Sequence, residues 1–480
     1  MFSNAGSHYI DVQMFVARGK VNMFLSCLAE VIGAELVGDD AQFSQVSTDS
    51  RSICPGDFFV ALQGENFDGH QYLEKAANAG AIGALVSVQS DLNIPQIVVA
   101  DTRIGLGRLS QAWLDQFSPR KVAITGSCGK TTVKEMVASI LSQVAPTLST
   151  KGNFNNDIGV PLTLCRLKQE HKFAVIEMGA NHVGEIGYVA DLVKPHVALV
   201  NNVGTAHLEG FGSIENIARA KAEIYKSLAP NGVAVVNLDD DFAEFFMGQT
   251  KHCQRLTFSV DNPAADVRLL SASVNHSGQY RFDVAVQSDV VAFDLPLIGF
   301  HNVTNALAAI AMTHALGCTA EQMAAGLAVL RAVPGRLRLV GELADLCVID
   351  DTYNANPESM RSAIDVLASM ENDTCLVLGA MAELGSDSDA LHREVGAYAA
   401  QRGIKTIYGV GDQAALYKDG YLASSGAGAF VVADDHQALA EALLADQRNK
   451  TILIKGSRSS AMEKVIEHMI QCQEPKGSTN

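Results

Sequence analysis

No apolar run in this chain approaches the roughly 18 residues that a membrane span requires, so the sequence predicts no membrane-inserted segment. Its nine cysteines, at 27, 54, 128, 165, 253, 318, 347, 375 and 472, are odd in number and never spaced as CxxC. That argues against a zinc cluster or disulfide scaffold and for reduced thiols in a cytoplasm. Positive charge is scarce: 36 Lys and Arg face 53 Asp and Glu, a formal net charge of −17. Broad binding to nucleic acid or an anionic membrane is thereby excluded, although a local basic site for a phosphorylated ligand is not. Internal repeats and low-complexity tracts are absent. The 40 Gly and 12 Pro are scattered and too few for a collagen-like chain. What remains is 48% apolar and 19% charged residues, the mix of a chain that buries large cores.

At 480 residues the length predicts about two to four domains. Residues 1–22 read as an irregular extension, or as a start assigned upstream of Met23. Arg18 and Lys20 ahead of Met23-Phe24-Leu25-Ser26-Cys27-Leu28-Ala29 faintly resemble a signal peptide, but Glu30 interrupts the apolar stretch, which also fits an amphipathic first helix. From 23 to 100, short apolar runs alternate with Gly-rich turns, predicting a small α/β domain. From 101 to 332, strands alternate with long helical patterns, beginning at Lys121-Val122-Ala123-Ile124-Thr125, and residues 261–296 interrupt that rhythm with hairpin-like alternation. From 333 to 480 the pattern restarts, with apolar runs at 348–350, 376–379, 407–411, 431–432 and 452–456. Several end in Gly or a charge, as strands do where their C-terminal ends form a ligand crevice. Pro334-Gly335 is the expected hinge. The fold class expected is α/β in three domains, with a mostly parallel central sheet and a Rossmann-like, doubly wound last domain.

Gly126-Ser127-Cys128-Gly129-Lys130-Thr131-Thr132 directly follows an apolar strand. After it comes a helical pattern with Val133, Met136, Val137, Ile140, Leu141 and Val144 on one face. Strand, glycine loop, Lys-Thr and helix form the context of a phosphate-binding loop: backbone N–H groups and the helix N-terminus hold phosphates, Lys130 reaches the β/γ oxygens, and Thr131 offers a hydroxyl to Mg²⁺. The loop is a shortened GxxGKT, since the strict motif would place glycine where Ile124 stands. The competing reading is a tight turn with a surface lysine.

Downstream, Phe173-Ala174-Val175-Ile176-Glu177 puts a carboxylate at a strand's end, where it either faces the same crevice as a metal ligand or is simply solvated. His207, in a glycine-bounded loop, reads either as a metal ligand or, by itself, as a structural hydrogen-bonding group. The helix from Ser213 has the apolar stripe Ile214, Ile217, Ala218, Ile224, Tyr225 and Leu228, and Lys221 falls on it. A buried unpaired ammonium is costly, so Lys221 either snorkels to the helix edge, which periodicity alone favours, or serves as a low-pKa amine able to react with CO₂.

Together these motifs resemble the Mur ligases, the ATP-dependent amide-forming enzymes of peptidoglycan synthesis, over nearly the whole chain from Met23. The marks are Thr125-Gly126-Ser127-Cys128-Gly129-Lys130-Thr131, Glu177-Met178-Gly179-Ala180-Asn181, His207-Leu208-Glu209-Gly210-Phe211-Gly212, Ala220-Lys221-Ala222-Glu223-Ile224, His301-Asn302-Val303-Thr304-Asn305-Ala306 and Pro334-Gly335-Arg336. Asp350-Asp351-Thr352-Tyr353-Asn354-Ala355-Asn356-Pro357, Gly152-Asn153-Phe154-Asn155-Asn156-Asp157-Ile158-Gly159, Lys455-Gly456-Ser457-Arg458 and Phe67-Asp68-Gly69-His70 resemble the branch that joins D-alanyl-D-alanine to UDP-N-acetylmuramoyl-tripeptide. A DNPR-like motif of the diaminopimelate- or lysine-adding branch is missing, and Ala380 stands where this branch often has Asp.

The resemblance implies that Thr125 to Thr132 bind ATP and that two Mg²⁺ ions are held, one by Thr131 and Glu177, the other by Glu177, His207 and an N6-carboxylated Lys221. It places Asn302 and Asn305 at adenine, Arg336 at the γ-phosphate and Asp351 at the ribose. Ser50 and Arg51 are expected at the UDP moiety in the first domain, Asn155 and Asn156 at the muramoyl-peptide, and the incoming dipeptide on the last domain. The catalytic set would be Lys130, Glu177, His207, Lys221 and Arg336, acting through an acyl phosphate in a cytoplasmic monomer. A folylpolyglutamate synthase-like ligase is a neighbouring alternative, and a P-loop nucleotide switch one of a different class.

Overall fold

The computed structural model describes residues 22–64, 67–204, 208–343, 346–370, 373–446 and 450–473. The chain divides into two compact units, Met1–Ser118 with Pro161–His171, and Pro119–Val160 with Lys172–Asn480.

The first unit is built on a five-stranded sheet. Its strands are β1 (Glu35–Val37), β2 (Val46–Ser47), β3 (Phe58–Val60), β4 (Gly83–Val86) and β5 (Gln96–Val98), in the order β1-β5-β4-β3-β2. Only the β1–β5 pair is antiparallel. Helix α1 (Leu25–Ile32) buries Leu25, Leu28, Ala29 and Ile32, the amphipathic reading of that stretch. Helix α2 (Leu73–Asn78) follows, and α3 (Thr102–Leu114) is started by Asp101, whose carboxylate accepts the N–H groups of Arg103 and Ile104. Trp113 at the end of α3 stacks on Phe43 at 5.9 Å between centroids and donates its indole N–H to the Leu167 carbonyl at 3.2 Å, which ties 161–171 into this unit.

The second unit carries two sheets. The larger comprises β6 (Arg120–Thr125), β7 (Thr147–Ser149), β8 (Phe173–Glu177), β9 (Val197–Val200), β10 (Val233–Asn237), β11 (Gln254–Ser259), β12 (Val267–Val274), β13 (Gln279–Val286) and β14 (Asp289–Ile298), ordered β7-β8-β6-β9-β10-β11-β12-β13-β14. Pairing is parallel as far as β12 and antiparallel through β13 and β14, the expected β excursion. Helices α4 (Lys130–Ser142), α5 (Glu185–Val193), α6 (Ile214–Lys226), α7 (His301–Ala315) and α8 (Ala320–Ala328) accompany it. Val133, Met136, Val137, Ile140 and Leu141 of α4 share one apolar cluster with Val303, Ala306, Leu307 and Ile310 of α7. Val144 differs from expectation: α4 ends at Ser142 and Val144 is 42% exposed. Pro146 disfavours helical backbone at the residue before it, which closes the helix early.

The smaller sheet contains β15 (Arg338–Leu343), β16 (Leu346–Asp351), β17 (Asp373–Leu378), β18 (Thr406–Val410), β19 (Ala429–Ala433) and β20 (Lys450–Lys455), ordered β15-β16-β20-β17-β18-β19, with β15 antiparallel and the rest parallel. All five apolar runs expected of the last domain are strands. Helix α9 (Pro357–Ala368) starts on a capping box in which Asn356 and Ser359 exchange side-chain and backbone bonds. The apolar faces of this sheet and its helices form two clusters, around Ile364, Leu376 and Leu453 on one side and Val348, Val377 and Ile454 on the other.

Candidate active site

Strand β6 is central in its sheet, with parallel partners β8 and β9. Register sets Ile124 opposite Glu177 and Thr125 opposite Val200, so Glu177 and the loop after Thr125 emerge together at the C-terminal edge. That edge is where parallel sheets bind ligands. Gly129 caps α4 at φ +78°, a conformation that suits glycine. The N–H groups of the first turn of α4, from Lys130 through Thr132, therefore point out of the loop without intrahelical partners. Lys130 folds over the loop, its Nζ donating to the Gly126 carbonyl at 2.7 Å and to that of Ser127 at 3.3 Å. Burial lowers its pKa, the Glu177 carboxylate and Cys128 pull it up, and Arg336 pushes it down.

The loop is held from the side by the segment after β9. The Ser127 N–H donates to the Asn202 carbonyl at 3.0 Å, and Ser127 Oγ exchanges hydrogen bonds with the backbone of Gly204. The Cys128 N–H donates to Asn202 Oδ1 at 2.8 Å, and its carbonyl accepts Asn201 Nδ2 at 3.0 Å.

Glu177 is 2% exposed. Its Oε1 accepts Asn155 Nδ2 at 2.8 Å, and its N–H donates to Thr150 Oγ1 at 3.0 Å. Thr150 is anchored in turn by Lys134, a lysine 1% exposed whose Nζ donates to the Thr150 carbonyl at 2.9 Å. The second oxygen of Glu177, Oε2, is buried with no hydrogen-bond partner. A buried carboxylate oxygen left this way is costly, and with the Thr131 hydroxyl it supplies the all-oxygen donors that Mg²⁺ prefers. The residues present therefore fit a magnesium ion. Among the described residues no cluster of three His, Cys, Asp or Glu could hold a metal. His207 lies outside the described residues.

Lys221 is 5% exposed, so it does not snorkel. Helix α6 is buried on more than one stripe: Ala220, Ala222, Glu223 and Ile224 are buried beside it, and Glu223 caps α5 through the N–H groups of Gly184 and Gly187. Among the described residues the Lys221 amine has no hydrogen bond or ion pair. Burial pushes its pKa well down and the nearby Lys130 charge pushes it further, which favours the free amine.

The turn at Pro334-Gly335 brings Arg336 to the loop. Its guanidinium stacks on the Tyr353 ring at 4.3 Å and its Nη2 lies 3.4 Å from Thr131 Oγ1. Asn356 Nδ2 lies 3.4 Å from Cys128 Sγ, a second point at which the two sheets of this unit meet.

Three model domains of one family match this chain: the Mur ligase family catalytic domain over 42–108, the Mur ligase middle domain over 124–313, and the Mur ligase glutamate ligase domain over 335–458. A UDP-N-acetylmuramoyl-tripeptide–D-alanyl-D-alanine ligase of Escherichia coli is 44% identical, the match covering 93% of this chain and 98% of that protein. This chain belongs to the Mur ligase family. The Bacillus subtilis protein of the same name is 33% identical over 89% of the chain and 93% of its own length. Among solved structures, a MurF crystal structure from Acinetobacter baumannii is 37% identical with a TM-score of 0.85, covering 92% of the chain and 98% of its own. MurF from Thermotoga maritima in complex with ADP is 28% identical with a TM-score of 0.80, covering 89% and 97%. A folylpolyglutamate synthase from Mycobacterium tuberculosis, 16% identical at a TM-score of 0.62, shares the fold alone.

Within this Mur ligase, the remaining expected site residues fall into two groups. Asn155 sits at Glu177, whereas Asn156 turns to the backbone, its Oδ1 accepting the N–H groups of Ile158 and Gly159 at the start of the short helix Gly159–Leu164. Both oxygens of Asp351 are engaged, Oδ2 by Lys455 Nζ at 2.7 Å and Oδ1 by the Leu337 N–H at 3.2 Å, so a ribose hydroxyl would compete with this buried pair. Asn302 and Asn305, each 5% exposed, bond to each other and to the chain. Ser50, buried, and Arg51, exposed and donating from its backbone and guanidinium to both carboxylate oxygens of Asp49, belong to the first unit. The sequence reading missed Asn201, Asn202, Thr150 and Lys134. Of these only Lys134 left a trace, a lysine next to the apolar face of α4.

Proposed function

We propose that this ligase joins the terminal carboxylate of UDP-N-acetylmuramoyl-tripeptide to the amine of D-alanyl-D-alanine, converting ATP to ADP and phosphate. The observation that carries the reading is the convergence of Lys130, Arg336 and the half-satisfied Glu177 on one phosphate loop. The relatives' names supply the substrates. The peptide carboxylate attacks the γ-phosphorus, ADP leaves, and an acyl phosphate forms. The dipeptide amine then adds to the acyl carbon, and collapse of the tetrahedral adduct expels phosphate and releases the amine proton.

Lys130, Arg336 and the first-turn N–H groups of α4 neutralise the transferring phosphoryl group and let two anions approach. Magnesium, two ions in the full reading, would be held by Thr131, Glu177, His207 and a carboxylated Lys221, and would supply further charge neutralisation. Lys221 can gain that group as a free amine adding to CO₂ with loss of one proton. Asn155 then serves by orienting Glu177, and Ser50 and Arg51 are assigned to the UDP moiety. No described helix is long and apolar enough to cross a membrane, and we place the reaction in the cytoplasm, where its nucleotide substrates are made.

The test is phosphate release from ATP and Mg²⁺ with UDP-N-acetylmuramoyl-tripeptide and D-alanyl-D-alanine supplied singly and together. Release that requires both, with a product heavier by one dipeptide less water, is the expected result. Release indifferent to both would overturn the ligase reading in favour of a nucleotide switch.

A further inference from the structure

We propose that Asp350 is a positioning residue for phosphoryl transfer: it pins the turn around Arg336 and so aims the guanidinium at the phosphate loop. The proposal rests on the reading above that Arg336 meets the γ-phosphate.

The turn needs an external hold. Gly335 and Leu337, on either side of Arg336, both have positive φ, +74° and +46°. Glycine adopts that backbone freely, but leucine does so against the clash of its Cβ with the following carbonyl. Such a conformation persists only where its surroundings over-determine it. The Gly335 N–H donates to Asp350 Oδ2 at 2.9 Å, and the Leu337 N–H donates to Asp351 Oδ1 at 3.2 Å. Between them the Arg336 N–H donates to the Val333 carbonyl at 3.0 Å, and the Gly335 carbonyl accepts the Tyr353 N–H at 3.1 Å. A Cβ added at Gly335 would fall 2.9 Å from the Tyr353 nitrogen. The turn therefore lies flat against the residue whose ring carries the Arg336 guanidinium.

Asp350 is the centre of this hold and is 4% exposed. Besides Gly335, its Oδ2 accepts Arg338 Nη2 at 3.1 Å, while Oδ1 accepts the Thr352 N–H at 3.3 Å and the Thr352 hydroxyl at 2.7 Å. These donors fill the acceptor sites of a carboxylate. Asp350 thus has no capacity left for a ligand and acts on the reaction only through the turn. Register sets Arg338 opposite Asp350 across β15 and β16, so the turn and its carboxylate belong to the smaller sheet. The Arg336 side chain leaves that sheet, its Nη2 reaching within 3.4 Å of Thr131 Oγ1 on the phosphate loop. The larger sheet supplies the loop, and the smaller sheet sets the direction of the guanidinium.

The test is a double-mutant cycle on the full chain with Asp350→Asn, Arg336→Ala and the double variant, each checked by circular dichroism and melting. Asparagine keeps the shape of the side chain but turns an amide N–H₂ towards donors. Phosphate release from Mg·ATP with UDP-N-acetylmuramoyl-tripeptide and D-alanyl-D-alanine is followed in steady state, and for slow variants as single turnovers with enzyme in excess. We expect Asp350→Asn to lower kcat roughly tenfold, with KM for ATP changed less than about twofold. In the Arg336→Ala background the same substitution should lower kcat less than about twofold, because an absent guanidinium cannot be misaimed. An equal loss in both backgrounds, a rise in KM with kcat unchanged, or unchanged kinetics would overturn the proposal. Should Asp350→Asn fail to fold, Thr352→Val, which removes one donor to Oδ1 and no backbone bond, carries the same cycle with a loss of about threefold. Arg336→Ala with wild-type kcat, or a wild type that releases no phosphate, would instead overturn the reading on which the proposal rests.

Discussion

Lys221 separates a structural from a functional lysine by the sign of a stability change. The residue is 5% exposed, its amine lacks a partner among the described residues, and both burial and the Lys130 charge favour the uncharged form. Lys221→Met keeps the length and apolar stem and removes a group that is costly to bury. Leaving a buried polar group without a partner costs about 1–3 kcal/mol, so removing it is stabilising by up to that much. At about 2 cal/mol/K of unfolding entropy per residue, that raises the melting temperature of a unit this size by roughly one to four degrees. The variant should also lose most amide-forming activity. Melting is measured with and without bicarbonate. Carboxylation of the wild type should raise its midpoint and give a carbamate ¹³C signal with labelled bicarbonate, and Lys221→Met should show neither. A variant that melts lower than wild type, a wild type indifferent to bicarbonate, or near-normal turnover of the variant would refute the reasoning.

Gly129→Ala should abolish measurable ATP binding in calorimetry, since its Cβ meets Asn305 and Asn201 below 2.7 Å and the left-handed backbone alone costs about 1–2 kcal/mol. Arg336→Lys gives up the flat stack on Tyr353, and steady-state kinetics should show kcat down roughly a hundredfold or more with KM for ATP changed only a few-fold. Thr150→Val removes the acceptor for the Glu177 N–H and should weaken Mn²⁺ binding, read by electron paramagnetic resonance, several-fold, whereas Thr150→Ser should restore it. Burial lowers the pKa of His301 to about 4, against a pull upward from Asp351 and a push downward from Lys455. The unfolded chain thus binds the extra proton first, so stability present above pH 6.5 is lost as pH falls towards about 4, and denaturant midpoints should show that slope flattened in His301→Gln.

The fold was legible wherever local pattern and tertiary environment agree. Apolar runs five residues long became buried parallel strands, and the alternation of 261–296 became an antiparallel ribbon, because periodicity reports burial directly. Lys221 was legible as an anomaly only. The stripe placed it inward, but that its neighbours off the stripe are buried too, and that Lys130 lies close enough to repel it, are properties of packing. Asn201 and Asn202 went unremarked in the sequence, since nothing local marks a residue such as Asn201 whose partners, Cys128 and Asn305, stand 73 and 104 positions away. Asp351 likewise carried a motif but not its engagement by Lys455, 104 residues on.

The site's electrostatics run against those of the chain. A molecule with a net charge of −17 sets Lys130 between the Glu177 carboxylate and the Arg336 guanidinium: burial lowers its pKa most, Glu177 opposes the fall and Arg336 adds to it, and Lys130 in turn adds to the larger effect of burial on Lys221. Such a crevice is destabilising by itself and favourable only towards anions, so a polyphosphate gains affinity by relieving repulsion already built into the fold. Burial first, and the field that draws the triphosphate second, keep Lys221 an amine, the form that can take up CO₂ and become an anion. Phosphate attraction and part of the lysine's activation then share one charge imbalance. That imbalance arises only when β6, β8, α6 and the hinge meet, which is why no single segment of the sequence announces it.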